Sequence, residues 1–248
     1  MDNNAINIYL PTSWKELSNG QLYYVFSLLS DCMSLEQLKT YCFFRWGEVA
    51  VVCRYGDGYL LRHGKKEFQA TAQLVANAIH ALDFLGTMPD YPVRISRVKG
   101  CRALPADFQE VEFQRYLYLE NLYQGYLAKH DQNLLQQMAD LMYNKDHIKI
   151  NRAEKMNVFY WFTSLKLLFA RRWPNFFQPA ANQNSNMMEH GKPIELQLQE
   201  ATNAQIRALT GGDITKEKTI LEMDTWRALT ELDAKAREAA QMEAKYGK

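Results

Sequence analysis

Residues 158–170 read VFYWFTSLKLLFA, the most apolar run of the chain, interrupted once by Lys166. Whether this run crosses a bilayer or fills a core decides the fold. At the α-helical rise it covers about 20 Å, against roughly 30 Å of bilayer hydrocarbon. It is therefore expected as a buried helix of a globular protein, inside a longer helix over Glu154–Trp173 that Pro174 ends. Upstream, Phe108–Tyr126 predicts an aromatic helix carrying Phe113, Tyr116, Tyr118, Tyr123 and Tyr126, and Asn133–Tyr143 a shorter amphipathic one. Aromatic residues on helices belong to cores or interfaces, and Tyr adds a hydroxyl that tolerates a wet boundary.

The segments before this helical block carry their own start signals. Ser13-x-x-Glu16, Ser18-x-x-Gln21 and Ser34-x-x-Gln37 all have capping-box spacing, in which a hydroxyl and a back-reaching side chain satisfy free amides at a helix start. Leu22, Val25, Phe26 and Leu29 then recur at helical spacing to about Ser30, and Leu35, Leu38 and Cys42 mark a second short helix. Ala5–Leu10 reads as a short strand or an extended arm.

The texture changes at Gly47. Val49–Tyr55 (VAVVCRY) is β-branched, Gly56-Asp57-Gly58 is a turn, and Tyr59–His63 is a second apolar run, which together predict a β-hairpin. Phe68–Leu85 returns to helical spacing and stops at Gly86, whereas Val93–Val98 alternates as a half-buried strand does. The fold class is thus mainly α with a small β element (α+β). A helical body over 1–177 holds the β element at about 47–99. Residues 178–192 (QPAANQNSNMMEHGK) lack aromatic and β-branched side chains and are expected as a flexible linker. Residues 193–248 form a helical C-terminal extension, with Gly211-Gly212 as a break and a long helix from about Thr215 to Tyr246. On that helix Ile220, Met223, Trp226, Leu229 and Leu232 make an apolar stripe, and Glu231/Lys235 and Asp233/Arg237 are acid-first i,i+4 pairs.

Composition narrows the function classes. The 248 residues are 47% hydrophobic and 23% charged, with 29 Lys+Arg against 28 Asp+Glu. A formal charge of +1 creates no whole-molecule field for nucleic acid or anionic lipid. The opening MDNNAINIYLPTSW has Asp2, no basic stretch and no apolar core of a leader, so no secretory signal is expected and the cytoplasm is the expected location. Cys32, Cys42, Cys53 and Cys101 form no CxxC pair and are expected as small buried hydrophobes. Gly58-x5-Gly64-Lys65-Lys66 has five residues between its glycines where a phosphate loop has four, and Lys66 stands in place of the hydroxyl residue. GxSxG, HExxH and GxGxxG are absent, and His63, His80, His130, His147 and His190 are scattered. No catalytic residue, cofactor or metal is expected.

Two basic clusters stand out. Arg94, Arg97, Lys99 and Arg102 lie in an acid-free stretch. Residues 145–172 hold Lys145, Lys149, Arg152, Lys155, Lys166, Arg171 and Arg172 against Asp146 and Glu154. Arg94, Arg97, Lys99, Arg102, Arg171 and Arg172 would serve a nucleic-acid-binding accessory protein if they shared a face. Without a helix-turn-helix, zinc finger or RNP strand, that stands as the alternative.

Leu209-Thr210-Gly211-Gly212-Asp213, followed by Ile220-Leu221-Glu222-Met223-Asp224-Thr225-Trp226-Arg227-Ala228-Leu229, resembles the endings of small bacteriophage tail-assembly (chaperone-like) proteins. The opening Leu10-Pro11-Thr12-Ser13-Trp14-Lys15-Glu16-Leu17 with Gln21-Leu22 is similar to phage or prophage proteins of gut bacteria. The resemblance implies a non-enzymatic structural or assembly role exercised through protein–protein contacts, with a tail or tape-measure-type protein as partner. Ile220, Met223, Trp226, Leu229 and Leu232 are then the expected contacts, since Trp offers area and Met adapts to irregular surfaces.

Overall fold

A computed structural model of the chain describes residues 6–177 and 192–246. These form ten α-helices, a three-stranded antiparallel sheet and a two-stranded hairpin, so the protein is mainly α with a small β element. Among the described residues no helix is long and apolar enough to cross a membrane. The expected linker, Lys192 apart, lies outside the described residues. The chain divides into two compact units, Met1–Pro89 with Asn151–Asn157, and Asp90–Ile150 with Val158–Lys248.

In the first unit residues 6–12 form an extended arm without regular structure, and a short 3-10 turn, Trp14–Glu16, follows. Trp14 is buried there. Its indole donates to the carbonyls of Phe84 (3.0 Å) and Thr87 (2.8 Å), and its ring packs on Phe26 and edge-on to Phe84. Helices α1 (Asn19–Ser30) and α2 (Leu35–Trp46) both begin with complete capping boxes, Ser18 with Gln21 and Ser34 with Gln37. Ser13 does not cap its 3-10 turn; Glu16 instead accepts from the Thr12 amide at 2.8 Å.

Strand β1 (Val49–Tyr55) pairs with β2 (Gly58–His63), and β2 with β3 (Lys66–Thr71). Strand β3 takes the first residues of the expected Phe68–Leu85 helix; α3 covers only Ala72–Ile79, and a 3-10 turn, His80–Gly86, completes the segment. Thr71 caps α3 by accepting from the Leu74 amide, which sets the boundary between strand and helix. Lys39, 4% exposed, is held between Glu36 (2.6 Å) and Asp83 (2.8 Å). The hydrogen bond that Lys39 donates to Asp83 is the main reason its ammonium is held above its ordinary pKa, and the same bond holds the Asp83 carboxyl below its own.

In the second unit the expected strand Val93–Val98 shrinks to a tight hairpin, β4 (Arg97–Val98) with β5 (Cys101–Arg102). Helix α4 (Phe113–Lys129) starts later than the expected Phe108, because Phe108 and Glu110 adopt positive φ and Glu112 bridges to Asp224. Helices α5 (Gln132–Tyr143), α6 (Arg152–Arg172, in this unit from Val158), α7 (Pro174–Phe177), α8 (Ile194–Thr210), α9 (Glu217–Leu221) and α10 (Thr225–Tyr246) follow. Val158, Trp161, Phe162, Leu165 and Phe169 are fully buried at i, i+3, i+4, i+7 and i+11, as a core helix requires. Around them pack Phe108, Phe113, Tyr116 and Tyr123, with Trp173 against Phe169. Each such side chain contributes about 1.5–3 kcal/mol by leaving water.

The long C-terminal helix expected from Thr215 is broken at Glu222–Asp224. The Phe113 amide donates to the Met223 carbonyl at 2.8 Å, and the Thr225 amide and hydroxyl both donate to the Val111 carbonyl at 2.8 and 2.6 Å. Backbone groups committed to that distant segment cannot also close helical turns. Glu231–Lys235 forms at 3.7 Å, whereas Asp233 turns away from Arg237 to accept from Asn175 (2.8 Å) and the Phe176 amide (3.0 Å) of α7.

Candidate functional site

Three residues of the expected partner stripe are core. Ile220, Leu229 and Leu232 are 8%, 0% and 3% exposed, and Ala228 beside them is 0% exposed. Trp226 donates its indole N–H to the Asp107 carbonyl at 2.8 Å and packs edge-on against Trp173, with ring centroids 5.2 Å apart. Met223 is half-buried, and its carbonyl is taken by α4. Ile220, Leu229 and Leu232 are therefore not an open face, contrary to the expectation, while Met223 and Trp226 remain half-buried. The stripe has a large apolar area to hide, and α4 and α7 of its own unit lie within reach.

The same unit leaves a different apolar surface open. Helices α4, α5 and α8 wall a groove of about 720 Å³. From α4 it takes Tyr118, Asn121, Leu122, Gly125 and Lys129, which follow one helix face at steps of three and four. From α5 come Leu134, Gln137 and Leu141, and from α8 Ile194, Leu198 and Thr202. Leu122, Leu134, Leu141, Ile194 and Leu198 are all only half-buried. Gly125 lets α5 come close, since a Cβ there would sit 3.2 Å from Leu134 Cδ1. On α8 only Thr210 is fully buried, so this helix lies along the groove rather than sealing it.

The charged groups around the groove are already engaged. Lys129 is paired with Glu195, and that bond holds the Glu195 carboxyl below its ordinary pKa. Asp131 caps α5 by accepting from the Asn133 amide at 2.9 Å. Asp140 accepts from the Ile148 amide (3.0 Å) and from Gln136 (3.1 Å), fixing the turn after α5. Asn121 donates to the Thr202 hydroxyl at 3.3 Å and ties α4 to α8. The charged side chains lining the groove hold helices and turns, and the surface they frame is greasy.

The six cations of the alternative have separate fates. Arg94 is half-buried, donates Nε–H to the Leu104 carbonyl, and is held below its ordinary pKa by burial. Arg171 is paired with Asp90 at 3.1 Å and also donates to the Asp90 carbonyl. Arg97, Lys99, Arg102 and Arg172 are exposed and have no ion partner among the described residues. Of the cysteines only Cys42 is buried, and burial raises its thiol to about 12; Cys32 and Cys53 are exposed, against the expectation of buried hydrophobes. Among the described residues no three His, Cys, Asp or Glu side chains group as a metal site.

No protein-family model, curated protein or solved structure matches this chain. The groove residues were missed in the sequence because the second apolar face of α4 reads as part of one broad aromatic helix. Its signal was present on two of the helices: Leu122 and Leu134 lie on helices whose cores are filled by other residues.

Proposed function

We propose that this chain is a non-enzymatic assembly or structural protein of the phage or prophage tail-assembly type, working in the cytoplasm of a bacterial host by holding an amphipathic helix of another protein. The observation that carries it is the groove of α4, α5 and α8, with half-buried Leu122, Leu134, Leu141, Ile194 and Leu198 along its walls. Grooves of this kind take a helix by its i, i+3, i+4 and i+7 side chains, and affinity comes from burying a few apolar anchors. Its charged groups are bound to structural partners, which suits a holding surface better than acid–base chemistry. Tape-measure-type proteins, long and helical, offer such a segment.

The test is co-expression with a tape-measure-type tail protein. The wild-type chain is expected to co-purify with that protein, and the double variant L134D/L198D to lose it while keeping its melting temperature. Undiminished co-purification by the folded double variant contradicts the proposal.

A further inference from the structure

The hairpin of β4 and β5 keeps a charge arrangement that folding does not ask for. Its register places Arg97 directly opposite Arg102 and Val98 opposite Cys101. The Ala103 amide bonds to the Ser96 carbonyl at 3.0 Å, so Arg97 and Arg102 form a pair flanked by hydrogen-bonded positions. In such a non-hydrogen-bonded pair the Cα atoms approach to roughly 4.5 Å and the side chains run closest together. Like charges directly opposite one another destabilise a ladder. Val98, 3% exposed, anchors the inner face, so both arginines stand on the outer one.

The turn adds a third cation. Lys99 and Gly100 both have positive φ (50° and 82°), the conformation of a two-residue hairpin turn, and Lys99 is exposed at the tip. Gly is the natural residue for such a turn, and Lys at the other position is uncommon. Neither arginine nor Lys99 has a carboxylate partner among the described residues. Arg94, on the approach to the hairpin, adds a charge that is already tied to the Leu104 carbonyl.

We infer that the Arg97–Lys99–Arg102 hairpin is a contact site for the phosphate backbone of a nucleic acid, separate from the helix groove. Two adjacent guanidinium forks suit bidentate hydrogen bonding to phosphate oxygens, and the ammonium between them adds a point charge. The repulsion within the free hairpin is relieved when phosphates lie across it, and a nucleic-acid strand supplies them in a row. Arg171, which the alternative reading grouped with these cations on condition of a shared face, is left out because it is paired with Asp90.

The test uses the full chain and a fluorescent single-stranded oligonucleotide of about 30 nucleotides at about 50 mM salt, read by anisotropy. The wild type binds, and the triple variant R97Q/K99Q/R102Q binds about tenfold or more weakly, with the slope of log affinity against log salt shallower by about 2. R171Q binds as the wild type does. The triple variant melts at or above the wild-type temperature, because a repulsive pair is gone; this separates a functional cluster from a structural one. Absence of binding at low salt, or full binding by the folded triple variant, overturns the inference. So does equal, triple-sensitive binding of polyglutamate or of anionic phosphatidylserine vesicles. L134D/L198D leaves this readout unchanged, so failure here and failure of the groove are told apart.

Discussion

Two apolar helical surfaces of the second unit read alike in sequence and end differently. The α10 stripe is tied in on every side, with Leu229 at 0% exposure and Trp226 bonded to the Asp107 carbonyl. The α4–α5–α8 groove presents leucines of the same kind, but they stay half-open and the charged groups beside them are bound to structural partners. Apolar periodicity reports that a surface needs covering. What covers it depends on which backbone segments reach it, and here Val111–Phe113 reaches α10 and leaves the groove alone.

The comparison breaks most sharply under one substitution made at both surfaces. L229D puts a carboxylate where no partner exists and is expected to cost about 4 kcal/mol or more, seen as loss of the cooperative urea transition of the second unit. L198D at the groove wall is expected to change stability by less than about 1 kcal/mol in the same measurement. Equal costs at the two positions would erase the distinction.

A smaller effect sharpens the account of the stripe. W226F keeps a ring against Trp173 and removes the hydrogen bond to the Asp107 carbonyl, leaving that acceptor unmatched. It is expected to cost about 1–2 kcal/mol in chemical denaturation, with the groove's partner still retained. Loss of the partner with unchanged stability would return the stripe to the role of a docking face.

The first unit supplies a control that depends on pH. Asp83 is held below its ordinary pKa by Lys39, so its contribution is present above its unfolded value of 3.8 and is lost as pH falls through the lower folded value. Lys39 is held above 10.5, so its contribution is full below that value and is lost as pH rises through the higher folded one. K39M removes both limbs, so the variant's urea midpoint is expected to flatten at each extreme relative to wild type while groove binding is untouched. The smallest expected effect is chemical. Cys32 and Cys53 are expected to react with a thiol reagent in the folded protein, and Cys42 only after unfolding. Fast labelling of Cys42 would show that the first unit opens more readily than its packing implies.

Local signals in the sequence were the legible ones. Ser18/Gln21 and Ser34/Gln37 announce α1 and α2, and the β-branched run of β1 with its glycine turn announces the first hairpin. Strand β3 was hidden because Lys66, Glu67 and Gln69 are polar and the leucines after them set a helical period. The break at Glu222–Asp224 was hidden for a different reason. It is made by hydrogen bonds to residues more than a hundred positions earlier, and no window of local periodicity contains both partners. The groove shares that origin, since Leu122, Leu134 and Leu198 become one surface only once three helices are assembled.

Amide hydrogen exchange of the full chain, with and without a tape-measure-type tail protein that co-purifies with it, tests the division of labour between the two surfaces in one experiment. A partner helix seated in the groove slows exchange across residues 118–129, 134–141 and 194–202 and leaves 225–232 as it was. Slowing confined to 225–232, or none in the three groove segments while the proteins remain bound, would show that the partner is held elsewhere.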